Sequence, residues 1–435
     1  MKQRTLLLIG IATAAILASC DHNEDGVKMA SATLQFNIPS SIAVEEGEVG
    51  LKSVILKNVN TGEEVRPIKV VEPETKAEGD TIPVANPVLE VSVPEGLYNI
   101  TMDGLFAYKS SGELKKVEVR SYTENVPILS SGDAGQVISI ETYMYDSSVA
   151  NGFVISEIFF VGTETPEHKQ YHNDCYFKIT NNSDKTLSAD GLALLETSIM
   201  TNNKLGNMDP NLIDSLVPLR AMYRIPLGSN VNVAPGESLL IVDNARNHTK
   251  DNPNSFDESD ADFEWYDEST SPTFTDTDNE NVPNLEKVYC YTKTIFAPTV
   301  QGNCSYALVR LGDDESNQLT VDEYLDAANG HQKSYSYSLN TNAGPIEMTR
   351  QTWTVPNKWV LDAVNVAPRL EMQWLVLSPS LDRGFTSISD YPRENKAYGY
   401  SVRRKVLSNG KLQDTNDSSL DFEAVKADPH YKFHE

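Results

Sequence analysis

The stretch RRKVLSNGKLQDTNDSSLDF, residues 403–422, decides how the rest of the chain is read. From Asp414 to Phe422 it holds three acids, two serines, a threonine and an asparagine. A calcium loop needs alternating oxygen ligands, a glycine for the sharp bend and a closing glutamate. Asp414, Asn416 and Ser418 alternate, but no glycine or glutamate follows at the right spacing. Asp, Thr and Asn side chains also accept hydrogen bonds from their own backbone two residues on, which pins a turn. The stretch therefore reads as a structural closure, with Phe422 entering the core beside an early strand. A closing tail of this kind requires a framework of strands upstream.

The remaining sequence fits that expectation. ATLQFNI (32–38) alternates, with Leu34 and Phe36 on one face. LKSVILKNVNTGEEV (51–65) reads as strand, Asn60-Thr61-Gly62 turn and strand. VLEVSVPEGLYNITMDGLFAY (88–108) sets Leu89, Val91 and Val93 on one face, turns at Pro94-Glu95-Gly96, and alternates again through Tyr98, Ile100 and Met102. GQVISIETYMY (135–145) supplies a further strand. Short alternating strands with frequent turn signals predict a sandwich over residues 31–146. DSSVANG (146–152) is a polar junction, and a second strand series, residues 152–429, begins at FVISEIFFVG.

Two resemblances attach to these motifs. VPEGLYNITMDG resembles the hairpin of transthyretin-like and fimbrial-subunit sandwiches. The second series resembles the immunoglobulin-like lamin-tail domain. Val154–Ile158 stands for its first strand, and Tyr176–Ser183 for the next, with Lys178 where an acid is usual. Ser188–Leu194 follows with Leu192 in place of tryptophan, then Val233–Glu237, and then Arg403, Asp414, Thr415, Asn416, Asp421 and Phe422. The resemblance implies an all-β chain: a transthyretin/fimbrial-like sandwich followed by a lamin-tail-like sandwich with long loop insertions. The whole order also resembles a family of uncharacterised Bacteroidota surface lipoproteins, DUF4876. That likeness implies a gene beside an outer-membrane receptor of the TonB-dependent class, and supplies no assigned activity.

The N-terminus points to location. Lys2 and Arg4 precede an apolar run, Leu6 to Leu17, too short to span a bilayer. Leu17-Ala18-Ser19-Cys20 then resembles a bacterial lipobox, so residues 1–19 read as a signal peptide and Cys20 as the lipidated residue. Multiple acyl chains anchor stably where one does not. Residues 20–30 read as a tether, and Asp21, Glu24 and Asp25 resemble the surface-export signal of Bacteroidota lipoproteins. The expectation is an outer-membrane lipoprotein facing the exterior. The net charge of −26 argues against nucleic-acid binding, which needs cations to displace counterions.

Candidate chemistry is sparse. Residues 251–286 form an insert with twelve acids and no basic residue. Self-repulsion extends such a segment unless cations or a basic partner neutralise it. Asp276, Asp278 and Glu280 have the alternation of a weak cation site. Phe256, Phe263, Trp265, Tyr266 and Phe274 lie inside the acidic run, so the segment packs either on its own sandwich or on a partner. Partner docking takes Trp265 and Tyr266 as the anchors. Cys290 and Cys304 flank a short connection and are able to form a disulfide, while Cys175 reads as a buried small hydrophobe. His168 and His172, and His430 and His434, are four apart, but nothing fixes either pair in a ligand geometry.

No G-x-S-x-G, H-E-x-x-H, Walker or G-x-G-x-x-G motif is present. No cofactor and no catalytic role are expected. The expected function is a binding or accessory subunit of a TonB-dependent system for uptake of a nutrient such as a metal chelate. The alternatives are an adhesive, fimbrial-type surface protein or a hydrolase.

Overall fold

The computed structural model describes residues 28–38, 47–67, 87–110, 113–130, 136–145, 152–208, 211–313, 317–341 and 344–433. Cys20, the signal peptide, most of the tether, junction residues 146–151 and His434 lie outside them.

The chain is all-β. In the first half, β1 (Met29–Asn37), β2 (Gly47–Asn58), β3 (Glu64–Val65), β4 (Val88–Pro94), β5 (Gly96–Ser110), β6 (Glu113–Ile128), β7 (Gln136–Glu141) and β8 (Tyr143–Tyr145) form two sheets. Their orders are β4-β1-β7 and β3-β2-β5-β6-β8. The first strand begins at Met29, inside the expected tether. Alternation puts Leu34, Phe36, Val91, Val93, Tyr98, Ile100, Met102 and Phe106 into one core, as a strand period of two requires.

The Pro94-Glu95-Gly96 turn was expected to form a hairpin, and it does not. β4 pairs with β1, whereas β5 pairs with β2 and β6, so the chain crosses from one sheet to the other here. The Tyr98 hydroxyl donates to the Pro94 carbonyl across the corner, at 2.7 Å. A Cβ on Gly96 would lie 2.9 Å from Asn58 Nδ2, so a larger residue at the corner has to displace that side-chain amide.

In the second half a six-stranded sheet runs Phe263–Glu264, Ser238–Val242, Tyr176–Asn181, Phe153–Phe159, Tyr400–Arg404 and Phe422–Lys426. A second sheet runs Gln332–Thr341, Gly344–Pro356, Leu216–Arg224, Ala193–Thr197, Tyr306–Val309 and Val360–Val364, with Glu286–Cys290 also paired to Leu216–Arg224. One core joins the two sheets through Ile158, Phe177, Val242, Leu194, Tyr223 and Tyr306. A further core, with Leu195, Met222, Val309, Tyr324 and Trp359, covers the other face of the second sheet. That sheet is thus buried on both sides, because the insertions add a layer.

The DTNDSSLDF stretch closes the fold. Arg404 is buried and meets Asp362 at 2.6 Å, Asp414 at 3.2 Å and Asp421 at 3.6 Å. It also donates to the Ile155 carbonyl at 3.0 Å, tying the late strand to the early one. Asp421 accepts from Thr415 N and Oγ1, both at 2.8 Å, and Asn416 takes a left-handed conformation, φ 51°. Phe422 is buried under the Arg404 guanidinium, 4.5 Å from its ring centre. The same stretch touches the first sandwich: Arg120 donates to the Thr415 carbonyl, and Arg383 lies 3.3 Å from Asp417 and 2.7 Å from Asp103.

Candidate functional site

The acidic insert folds onto its own sandwich. Phe263–Glu264 adds a parallel strand beside Ser238–Val242. Phe263 is 3% exposed and Trp265 2% exposed, and the Trp265 ring lies 5.7 Å from Phe177 and 6.3 Å from Phe296. Phe256 packs edge-on against Phe159 and Tyr176. These rings are core residues and not partner anchors, since burying each stabilises the fold by roughly 2–3 kcal/mol. Tyr266 is half-buried, and Phe274, at 63%, is the exposed member of the set.

The insert's acids find donors and basic side chains within the fold. Asp262 accepts from Leu240 N, and Glu264 from Ala245 N and Asn279 N. Asp267 accepts from the Tyr223 hydroxyl, Phe296 N and Lys287 Nζ. The expected cation ligands do not converge: Asp276 accepts from Asp267 N and Thr277 N, Asp278 from Asn284 Nδ2, and Glu280 is exposed. Among the described residues, no group of three His, Cys, Asp or Glu side chains is arranged to hold a metal.

Cys290 and Cys304, which the sequence allows to pair, are both free thiols. Cys290 sits in a strand beside Ala221, close to the Tyr223 hydroxyl, whereas Cys304 is buried beside Glu196 and Thr299. The strand pairing therefore gives each thiol its own surroundings. Cys175 is buried, as expected of a small hydrophobe. Lys178 is buried too: its ammonium donates to the Tyr431 carbonyl and sits over the Phe433 ring. Burial pushes its pKa down to about 8. His168 is paired with Glu164, and His430 faces the Asp257 carbonyl, so neither is held as a metal ligand.

What the structure does assemble is a groove of about 550 Å³ where the insert meets the strand leading into it. Arg246, Asn247, Lys250, Asp257, Asp278 and Glu280 are among the residues that line it. A buried polar centre lies behind it. His248 Nδ1 is 2.9 Å from the Tyr171 hydroxyl, which accepts from Arg246 Nη2 at 3.0 Å. His248 Nε2 is 2.9 Å from the Asn244 carbonyl and 3.4 Å from Glu258 Oε2. His248 and Glu258 are fully buried. Burial holds His248 below its ordinary pKa and Glu258 well above its own, and the nearby Asp174 and Asp243 carboxyls add to the Glu258 shift. The residue pattern did not single out this centre. Glu258 was one acid among twelve, and the loop that brings it back to His248 has no periodicity.

No curated protein matches the chain. A crystal structure of a DUF4876 family protein from Bacteroides thetaiotaomicron, at 2.50 Å resolution, aligns at 19% identity and a TM-score of 0.49. The alignment covers 91% of this chain and 94% of that one. Residues 234–428, which hold the groove, the insert and the closing stretch, match the family model DUF4876, described as a protein of unknown function.

Proposed function

We propose that this chain is a non-catalytic binding protein, lipid-anchored at Cys20 in the outer membrane and facing the exterior, and that the groove beside the acidic insert is its binding surface. The groove carries this reading. Its lining carries amides and charges of both signs, open to solvent, on loops beside the Phe263–Glu264 strand. Loops held by a rigid scaffold are where binding residues concentrate. The lipobox and the acidic residues after Cys20 support the anchored, outward-facing placement.

The partner proposed is an outer-membrane receptor of the TonB-dependent class, with the chain as its accessory subunit in nutrient uptake. Resemblance to surface lipoproteins supports this choice, and the mixed charges that line the groove suit docking to a polar protein surface. The test is affinity purification from detergent-solubilised outer membrane. A receptor of that class should co-purify with the wild type and be lost with Asp278→Lys combined with Glu280→Lys, at unchanged melting temperature. Retention by the double variant overturns the groove as the docking surface, and co-purification of pilin subunits instead favours the adhesive role.

A further inference from the structure

The inner side of the groove's loop carries a mismatched group. The Glu258 carboxyl is fully buried, and neither oxygen has a hydrogen-bond partner. His248 Nε2, at 3.4 Å, is its nearest basic atom, but that imidazole is committed elsewhere. A carbonyl can only accept, so Nε2 carries a hydrogen toward Asn244 O. Burial disfavours the imidazolium, which leaves Nδ1 as the acceptor for the Tyr171 hydroxyl hydrogen. This assignment makes His248 neutral and leaves it no charge to offer Glu258.

The other groups around the pair do not help. Asp174, Cys175 and Tyr176 face it from the strand on one side, Asp243 from the end of Ser238–Val242, and Asp257 from the adjacent position. Arg246 is engaged by Asp251 at 2.8 Å as well as by Tyr171. An ionised Glu258 would be a buried anion facing other acids, at a cost of several kcal/mol. The loop is tied to the neighbouring segment at its tip, where Asn252 and Asn254 donate to the Glu164 carbonyl and the Ser255 hydroxyl to Asp174, and its two arms are joined across by three links. His248 N donates to Phe256 O at 2.9 Å, Glu258 N donates to Arg246 O at 3.0 Å, and Asn247 bridges to Asp257.

We propose that Glu258 is a proton-controlled latch beneath the groove: protonated, it holds the 244–259 loop shut, and on losing its proton to solvent it swings outward and opens the groove floor. The proposal rests on the groove being the binding surface. The sign follows from burial. The folded state favours the neutral acid, so the latch is fully effective below the ordinary glutamate range and fails as pH rises through the raised value.

The test is hydrogen exchange on the full chain without any ligand, from about pH 6 to about pH 9.5, corrected for intrinsic rates. Protection of the His248 and Glu258 amides should fall by about tenfold or more across that range, while the paired sheet amides at Ile179 and Leu239 stay protected. Glu258→Gln, isosteric and always neutral, should keep the loop protected throughout. Constant loop protection in the wild type overturns the latch, as does parallel loss at the sheet amides or an unchanged pH dependence in the glutamine variant. The wild-type series alone decides the matter if the variant does not fold. Failure of the groove as a docking surface would appear only in the purification experiment.

Discussion

Arg383 Nη1 lies 2.7 Å from Asp103 Oδ1, joining a loop of the second sandwich to β5 of the first across 280 residues of sequence. Arg383 reaches Asp417 with its Nε at 3.3 Å, and Asp103 also meets Arg120 at 3.3 Å. The closing stretch of one sandwich is therefore part of the contact with the other. Asp103 is about one-third exposed, so solvent screening keeps the pair modest. A double-mutant cycle on Arg383→Ala and Asp103→Ala, read by chemical denaturation, should give a coupling near 1 kcal/mol. A coupling indistinguishable from zero would mean that the contact is incidental.

Phe422→Ala should destabilise the protein by about 3–5 kcal/mol, because the ring is fully packed under Arg404. Equilibrium unfolding measures this directly. A loss below about 1 kcal/mol would show that the site collapses around the cavity and that the ring does not close the sandwich.

Trp265 and Tyr266 are neighbours with opposite expectations. Trp265→Ala should cost about 3–5 kcal/mol, since it empties a site between the two sheets. Tyr266→Ala, at a half-buried position, should stay within about 1 kcal/mol of the wild type. Equal effects on melting temperature would refute the separation.

Burial raises the Asp174 carboxyl to about 6, against hydrogen bonds from Ser255 and Thr163 that act the other way. Its folded pKa exceeds the unfolded one, so its contribution to stability is greatest below the ordinary aspartate range and is lost as pH rises through about 6. The stability difference between the wild type and Asp174→Asn should therefore move in the variant's favour as the pH is raised from about 4 to about 7. A difference that stays constant over that window would place the Asp174 titration elsewhere.

Cys20→Ala should shift the protein from the membrane fraction to the soluble fraction, measured by fractionation and immunoblot. Protease added to intact cells should degrade the wild type. A variant that still pellets with membranes would remove the lipid anchor from the proposal.

How legible this was in the sequence depended on the length scale of each signal. Strand faces were legible because a period of two, repeated over several residues, marks Leu34 and Phe36 or Tyr98, Ile100 and Met102 as inward. The closing stretch was legible because its capping chemistry is local. The corner at Pro94-Glu95-Gly96 was only half legible: turn residues show that the chain bends, but not which sheet receives it. Trp265 was misassigned because its neighbours carry the charge of a solvated loop. Its strand, Phe263–Glu264, is two residues long, too short to show a period. The His248–Glu258 pair depends on one loop conformation and leaves no local signature.

The bond from Arg404 to Ile155 also sets an order of events. The strand Phe153–Phe159 pairs with Tyr176–Asn181 soon after it is made, but its other edge stays open until Tyr400–Arg404 arrives. Contacts this distant in sequence form slowly, because a long loop must close before they repay the entropy. A growing chain thus spends most of its synthesis with a bare strand edge in the second sandwich, a natural template for wrong pairing. A protein carried across a membrane while still unfolded would meet this hazard only on the far side, after the last strand had crossed.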